Sequence, residues 1–136
     1  MDKNEAGQFL SENHRAVLAT YRRDGRIQMS PVLAVPDDDG RILISSRETA
    51  YKVRNLRRDP RASLCVLNDR FFGEWAFVEG RAEIVSLPEA MDGLIDYYRR
   101  GAGEHDDWDD YRAAMERERR VLIRIPIERA GPTKAG

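Results

Sequence analysis

The stretch Ile42 to Arg61, ILISSRETAYKVRNLRRDPR, holds the residues of this chain best suited to chemistry. Ile42, Leu43 and Ile44 favour a strand, and Ser45, Ser46 and Arg47 end it with two hydroxyls and a guanidinium. Thr49 is placed to cap a short helix through its hydroxyl. Pro60 stops that helix, because proline disfavours helical geometry in the residue before it. A helix start offers unpaired N–H groups and the positive end of the dipole, so it suits an anion. With Arg47 just before that start and Lys52 and Arg54 on the first turns, the stretch reads as a phosphate pocket. The plainer reading is a solvated basic face, the usual fate of charge runs on short helices. The glycines of a Walker loop or a dinucleotide fingerprint are missing.

Other chemistries find less support. His14 and His105 are the two histidines, and no GxSxG elbow occurs, which argues against a serine-hydrolase triad. Neither histidine has HExxH spacing and Cys65 is the one cysteine, so no metal site is expected. An intrachain disulfide is excluded, and Cys65, within the apolar run Ser63 to Leu67, reads as a buried small hydrophobe. Asp106, Asp107, Asp109 and Asp110 gather at a helix start, where they complement the dipole without any calcium. His105 beside them reads as a solvated or capping residue. Trp75 and Phe77 share one face of a strand; such residues are core by default, and they would also suit a planar cofactor.

The elements that must hold these residues follow from pattern. An amphipathic helix spans Asn4 to Asn13. Strands are expected over Arg15 to Tyr21 and Ile27 to Val35, joined by the hairpin signal Asp24-Gly25. Pro31 implies an edge, a bulge or a broken ladder in the second strand. Arg41 to Ser46, Ala62 to Asn68, and Trp75 to Ser86 continue the series, with Gly80 read as a bulge or sharp coil. Helices follow from Pro88 to about Arg100 and from Asp107 to about Glu118. The last strand, Arg120 to Glu128, alternates Val121, Ile123, Ile125 and Ile127 with polar residues, so one face is buried. The residues from 130 to 136 look like a loose tail. Six short antiparallel strands with helical cover suggest a mainly β, α+β barrel forming a single domain over residues 1–136.

The 136 residues include 35% charged side chains at a net charge of −1, which argues against a general nucleic-acid binder. Lys52 is one of only three lysines, with Lys3 and Lys134, in an arginine-rich chain. No apolar leader and no membrane-spanning run occur, so a cytoplasmic protein with no membrane partner is expected.

Four segments together resemble the split-barrel flavin-binding superfamily of pyridoxamine 5′-phosphate oxidase-like proteins. They are VLAT followed by DGR (Val17 to Arg26), KVRNLRRDPRAS (Lys52 to Ser63), WAFVEGRAEI, and GEHDDWDDYRAAM before RRVLIRIPI. The match runs from about Phe9 to Ile127 and is nearest to the actinobacterial branch that uses the deazaflavin coenzyme F420. The resemblance implies a homodimer of six-stranded antiparallel split β-barrels (FMN-binding split barrels) with flanking helices and two cofactor sites at the subunit interface. It implies a phosphate near Ser45, Ser46, Arg47 and Lys52 with Asn55 close by, and a ring system lined by Gln28, Met29, Ser30, Pro31 and Val32; Trp75, from its strand position, is a candidate further wall. Arg54, Arg57 and Arg58 become candidate partners for the acidic tail of F420. Ala50 stands where some relatives carry a further arginine. The activity implied is a reductase that passes hydride to a small organic substrate, read by loops such as Asn68 to Glu74. FMN in place of F420 is the first alternative, and a non-catalytic carrier of flavin or deazaflavin the second. A barrel binding single-stranded nucleic acid through Arg57, Arg58, Arg61, Phe71, Phe72 and Trp75 is disfavoured by the balanced charge.

Overall fold

Two of the strands expected from pattern each break in two and a further strand forms in the expected tail, and these departures build the fold. The computed structural model describes residues 1–132. Its elements are α1 (Lys3–Glu12), β1 (Arg15–Tyr21), β2 (Ile27–Leu33), β3 (Val35–Pro36), β4 (Ile42–Arg47), α2 (Tyr51–Arg58) and β5 (Arg61–Leu67). They continue with β6 (Trp75–Arg81), β7 (Glu83–Val85), α3 (Met91–Ala102), α4 (Trp108–Arg117), β8 (Arg120–Ile125) and β9 (Arg129–Gly131).

Two antiparallel sheets result, in the orders β2-β1-β5-β6-β9 and β3-β4-β8-β7. The chain passes between them at Ala34, at Ala82 and at Pro126 to Glu128, so the second and fifth expected strands are each divided between the sheets and the segment after the sixth adds β9. Backbone groups at the crossings stay bonded: Ala34 N–H donates to His14, Ala82 N–H to Pro60 and Glu128 N–H to Glu79. This sharing makes a split barrel out of short strands. The expected loose tail is thereby corrected, because Ala130 and Gly131 pair with Val78 and Phe77; residues 133–136 lie outside the described part.

Two cores follow from strand alternation. Ile42, Ile44, Val121, Ile123 and Ile125 point into the barrel with Leu18, Leu64, Val78 and, from α2, Val53 and Leu56. Leu43 and Leu122 point the other way and pack against Leu94, Ile95, Tyr111 and Met115 of α3 and α4. Gly80 is not a bulge. It sits inside β6, paired with Ala62, where the Pro126 backbone crosses at close range.

Local signals fared well where the contacts are short. Gly25 takes φ +85 in the β1–β2 turn. Asp107 caps α4, its side chain accepting from Asp110 N–H, and His105 Nδ1 accepts from Asp107 N–H at 2.9 Å. Two helix starts differ from expectation. Ala50, not Thr49, is the N-cap of α2 and makes no side-chain cap; α3 begins at Met91 after a turn, not at Pro88. Among the described residues no helix is long and apolar enough to cross a membrane, and no cluster of metal-ligating side chains forms.

Candidate functional site

β2 ends its sheet, so one of its edges has no strand partner. Pro31 lies on this edge strand, where its missing N–H costs no second ladder. Alternation sends Ile27, Met29, Pro31 and Leu33 outward and Gln28, Ser30 and Val32 to the more covered side. Beside this edge a cavity of about 500 Å³ is lined by Arg22, Ile27, Gln28, Met29 and Tyr51. Tyr97 of α3 donates to the Leu33 carbonyl at 2.8 Å and so covers the far end of the strand.

Lys52 follows Tyr51 at the start of α2. Burial, and then the charge of Arg120, hold its ammonium below the ordinary lysine pKa. Arg120 was not singled out by sequence reasoning. It is the Cα partner of Arg47 across β4 and β8, which places two guanidiniums side by side. Both donate to Glu118, Arg47 at 3.2 Å and Arg120 at 2.9 Å, and these bonds hold the Glu118 carboxyl below the usual carboxylate range. The turn before α2 is tied to the turn after α4 by Glu48 N–H donating to the Arg119 carbonyl at 2.9 Å. A second cavity, about 430 Å³, opens there beside Glu48, Ser86, Arg119 and Arg120. The chemistry of this corner is that of an anion site: three cations at the start of a helix whose first N–H groups take no side-chain cap.

The expected site residues separate into three groups. Gln28, Met29, Ser30, Pro31 and Val32 share the open strand, and Arg47 and Lys52 join Arg120 at the corner. Ser45 and Ser46 do not form a pair. Successive strand residues face opposite ways: Ser45 shares the Arg47 face, whereas Ser46 is buried on the barrel side with Ile42 and Ile44. Asn55 is spent inside the fold. Its Nδ2 donates to Thr20 Oγ1 at 3.1 Å and Gln28 Oε1 at 3.3 Å, and its Oδ1 accepts from Arg58 at 3.1 Å. It therefore holds α2 against β1 and positions Gln28 rather than facing an anion. Trp75 stands on β6, three strands from β2 and so about 14 Å from that edge. It lines a separate apolar cavity of about 700 Å³ with Cys65, Leu67, Phe71 and Phe72.

The three arginines assigned to an acidic tail are likewise divided. Arg57 grips both oxygens of Glu48 at 2.8 Å, and Arg58 donates to the Tyr21 carbonyl at 2.8 Å. Arg54 lies over the exposed Tyr51 ring, 5.8 Å from its centre. Sequence order carried no sign of the remote partners, since Tyr21 and Ser86 meet Arg58 and Arg57 only in the folded chain.

Asn55→Ala separates its structural role from ligand binding. It is expected to cost about 1–3 kcal/mol of unfolding free energy, since Thr20 and Gln28 lose a buried partner. Urea denaturation measures this. An unchanged midpoint would return Asn55 to the list of direct ligands.

The profile of the pyridoxamine 5′-phosphate oxidase family matches residues 3–134. The chain belongs to that family. A pyridoxamine 5′-phosphate oxidase family assignment agrees with the split barrel and with the four segments that carried the resemblance. The fold is shared with a conserved hypothetical protein of Mycobacterium tuberculosis, 26% identical, with a TM-score of 0.78 over 100% of this chain and 92% of that one. It is shared with an F420 reductase, 20% identical, with a TM-score of 0.72 over 91% of this chain and 94% of that one. A Listeria innocua protein named for pyridoxamine 5′-phosphate oxidase is 14% identical, with a TM-score of 0.70 and 98% of both chains covered.

Proposed function

We propose that this protein is an oxidoreductase that uses coenzyme F420 to reduce a small organic substrate, working as a homodimer. The observation that carries the reading is the pairing of Arg47 with Arg120 across β4 and β8, at the turn that leads into α2, where the Arg120 charge helps hold the Lys52 ammonium below its ordinary pKa. A phosphorylated arm suits the three cations, and a flat ring suits the edge and the Tyr51 wall. When bound, the coenzyme supplies two-electron hydride chemistry.

The chain's own residues bind, orient and shield. Lys52 and Arg47 hold the arm by charge-assisted hydrogen bonds. Gln28, itself held by Asn55, and the backbone of β2 fix the ring's position. The homodimer is supported by the outer face of the first sheet. Ile27 and Met29 lie exposed there beside the half-buried Val17, Cys65 and Phe77, and Leu33 lies exposed at the end that Tyr97 of α3 reaches. An apolar face of that extent is what a partner subunit covers.

F420 is favoured by the shared fold with an F420 reductase. FMN is the second reading, favoured by membership of the pyridoxamine 5′-phosphate oxidase family. Fluorescence titration with F420 and with FMN separates them. Tight F420 binding with weak FMN binding is the expected result, and the reverse pattern transfers the assignment to FMN. Binding of reduced F420 with no oxidation across enones, quinones and tetrapyrroles would leave a carrier instead of an enzyme.

A further inference from the structure

Glu118 is the C-cap of α4, where the helix dipole presents its negative pole. A carboxylate is disfavoured at that place unless something offsets it, and two guanidiniums do. Glu118 Oε1 accepts from Arg47 Nη2 at 3.2 Å, from Arg120 Nη2 at 2.9 Å and from Arg120 Nε at 3.2 Å. Three N–H donors thus converge on a single oxygen, the pattern that holds a phosphate oxygen. Arg47 and Arg120 are opposed across two strands, a like-charge pairing that is unfavourable without an anion between them.

Resting on the phosphate reading above, we propose that Arg120 is the third cation of the phosphate site and that Glu118 is its resident stand-in, displaced when phosphate enters. The stand-in keeps both guanidiniums ordered while the coenzyme is away. It also sets a threshold. The phosphate of a bound coenzyme, monoester or diester, is anchored by the coenzyme's other contacts as well and displaces the side-chain carboxylate, whereas a free carboxylate ligand gains nothing by the exchange. The site thereby selects phosphate esters over carboxylates of similar shape.

Glu118→Gln keeps the shape and removes the charge. It is expected to bind inorganic phosphate, FMN and coenzyme F420 about tenfold more tightly, by calorimetry and fluorescence quenching. Riboflavin, which lacks the phosphate, serves as control and is expected to bind as to the wild type. Arg120→Gln is expected to weaken the phosphorylated probes about tenfold and to spare riboflavin. Should Glu118→Gln fail to fold in a thermal melt, Glu118→Asp withdraws the carboxylate by one methylene and is expected to tighten phosphate binding by a smaller factor. Unchanged or weaker phosphate binding in these Glu118 variants, with Lys52→Ala still damaging, overturns the stand-in while the phosphate site survives. No change in Lys52→Ala, Arg120→Gln and Glu118→Gln alike overturns both.

Discussion

Lys52→Ala is expected to weaken coenzyme binding by roughly 2 kcal/mol, about thirtyfold, while the melting temperature stays level or rises. Adding Arg47→Ala deepens the loss to a few hundredfold, at about 1.4 kcal/mol per tenfold. The reason lies in the state of the free protein. Lys52 is held below its ordinary pKa by burial first and by Arg120 second, so its charged form is disfavoured in the fold. At neutral pH the ammonium therefore detracts from stability, and its removal relieves the fold while depriving the phosphate of a partner. The same lowering means that Lys52 loses its proton sooner than an ordinary lysine as pH rises. Coenzyme affinity is accordingly expected to fall off early on the alkaline side in the wild type and to lose that limb in Lys52→Ala. Titrations of the single and double variants, paired with melting curves, measure both. Wild-type affinity in the double variant would remove the pocket from this corner.

Gly80→Ala is the change expected to hurt the fold most. A Cβ at Gly80 would stand 2.0 Å from the Pro126 carbonyl oxygen and 2.9 Å from Ile125 Cγ2. The first contact is backbone, so no rotamer change relieves it. β6 and the β8–β9 crossing must separate, at the point where the chain passes between sheets. Overpacking of this kind costs about 3 kcal/mol or more, which for a domain of this size lowers the melting temperature by about 10 °C. Gly7→Ala is the matched control. Gly7 lies within α1 with nothing near its missing Cβ, so alanine there is expected to stabilise by about 0.5–1 kcal/mol. Equal melting points for the two variants would show that Gly80 is not under steric constraint.

Much of the site was legible in the chain. The strand–turn–helix around Ser45 to Arg58 formed where hydrophobic pattern and Pro60 required it. Pro31 fell on an edge strand, one of the three places where a proline can sit in a ladder. Asp107 capped its helix because the capping bond spans only three residues. Asn55 shows where such reasoning ended. Its type and position suited an anion ligand as well as an internal brace, and the decision rested with Thr20, Gln28 and Arg58. Thr49 failed as a cap because the N-cap falls one residue later, at Ala50, a shift that local preference cannot resolve.

The chain by itself determined the strands and helices, the hairpin at Asp24-Gly25 and the basic segment that begins α2, because each depends on neighbours within a turn or a pleat. Only the tertiary structure decided where two strands break to change sheets, that the expected tail pairs as β9, that Trp75 lies three strands from the open edge, and that Arg47 and Arg120 meet over Glu118. Those outcomes depend on pairings between residues far apart along the chain, such as Arg47 with Arg120 and Gly80 with Pro126. Register and closure fix them only once the barrel has formed.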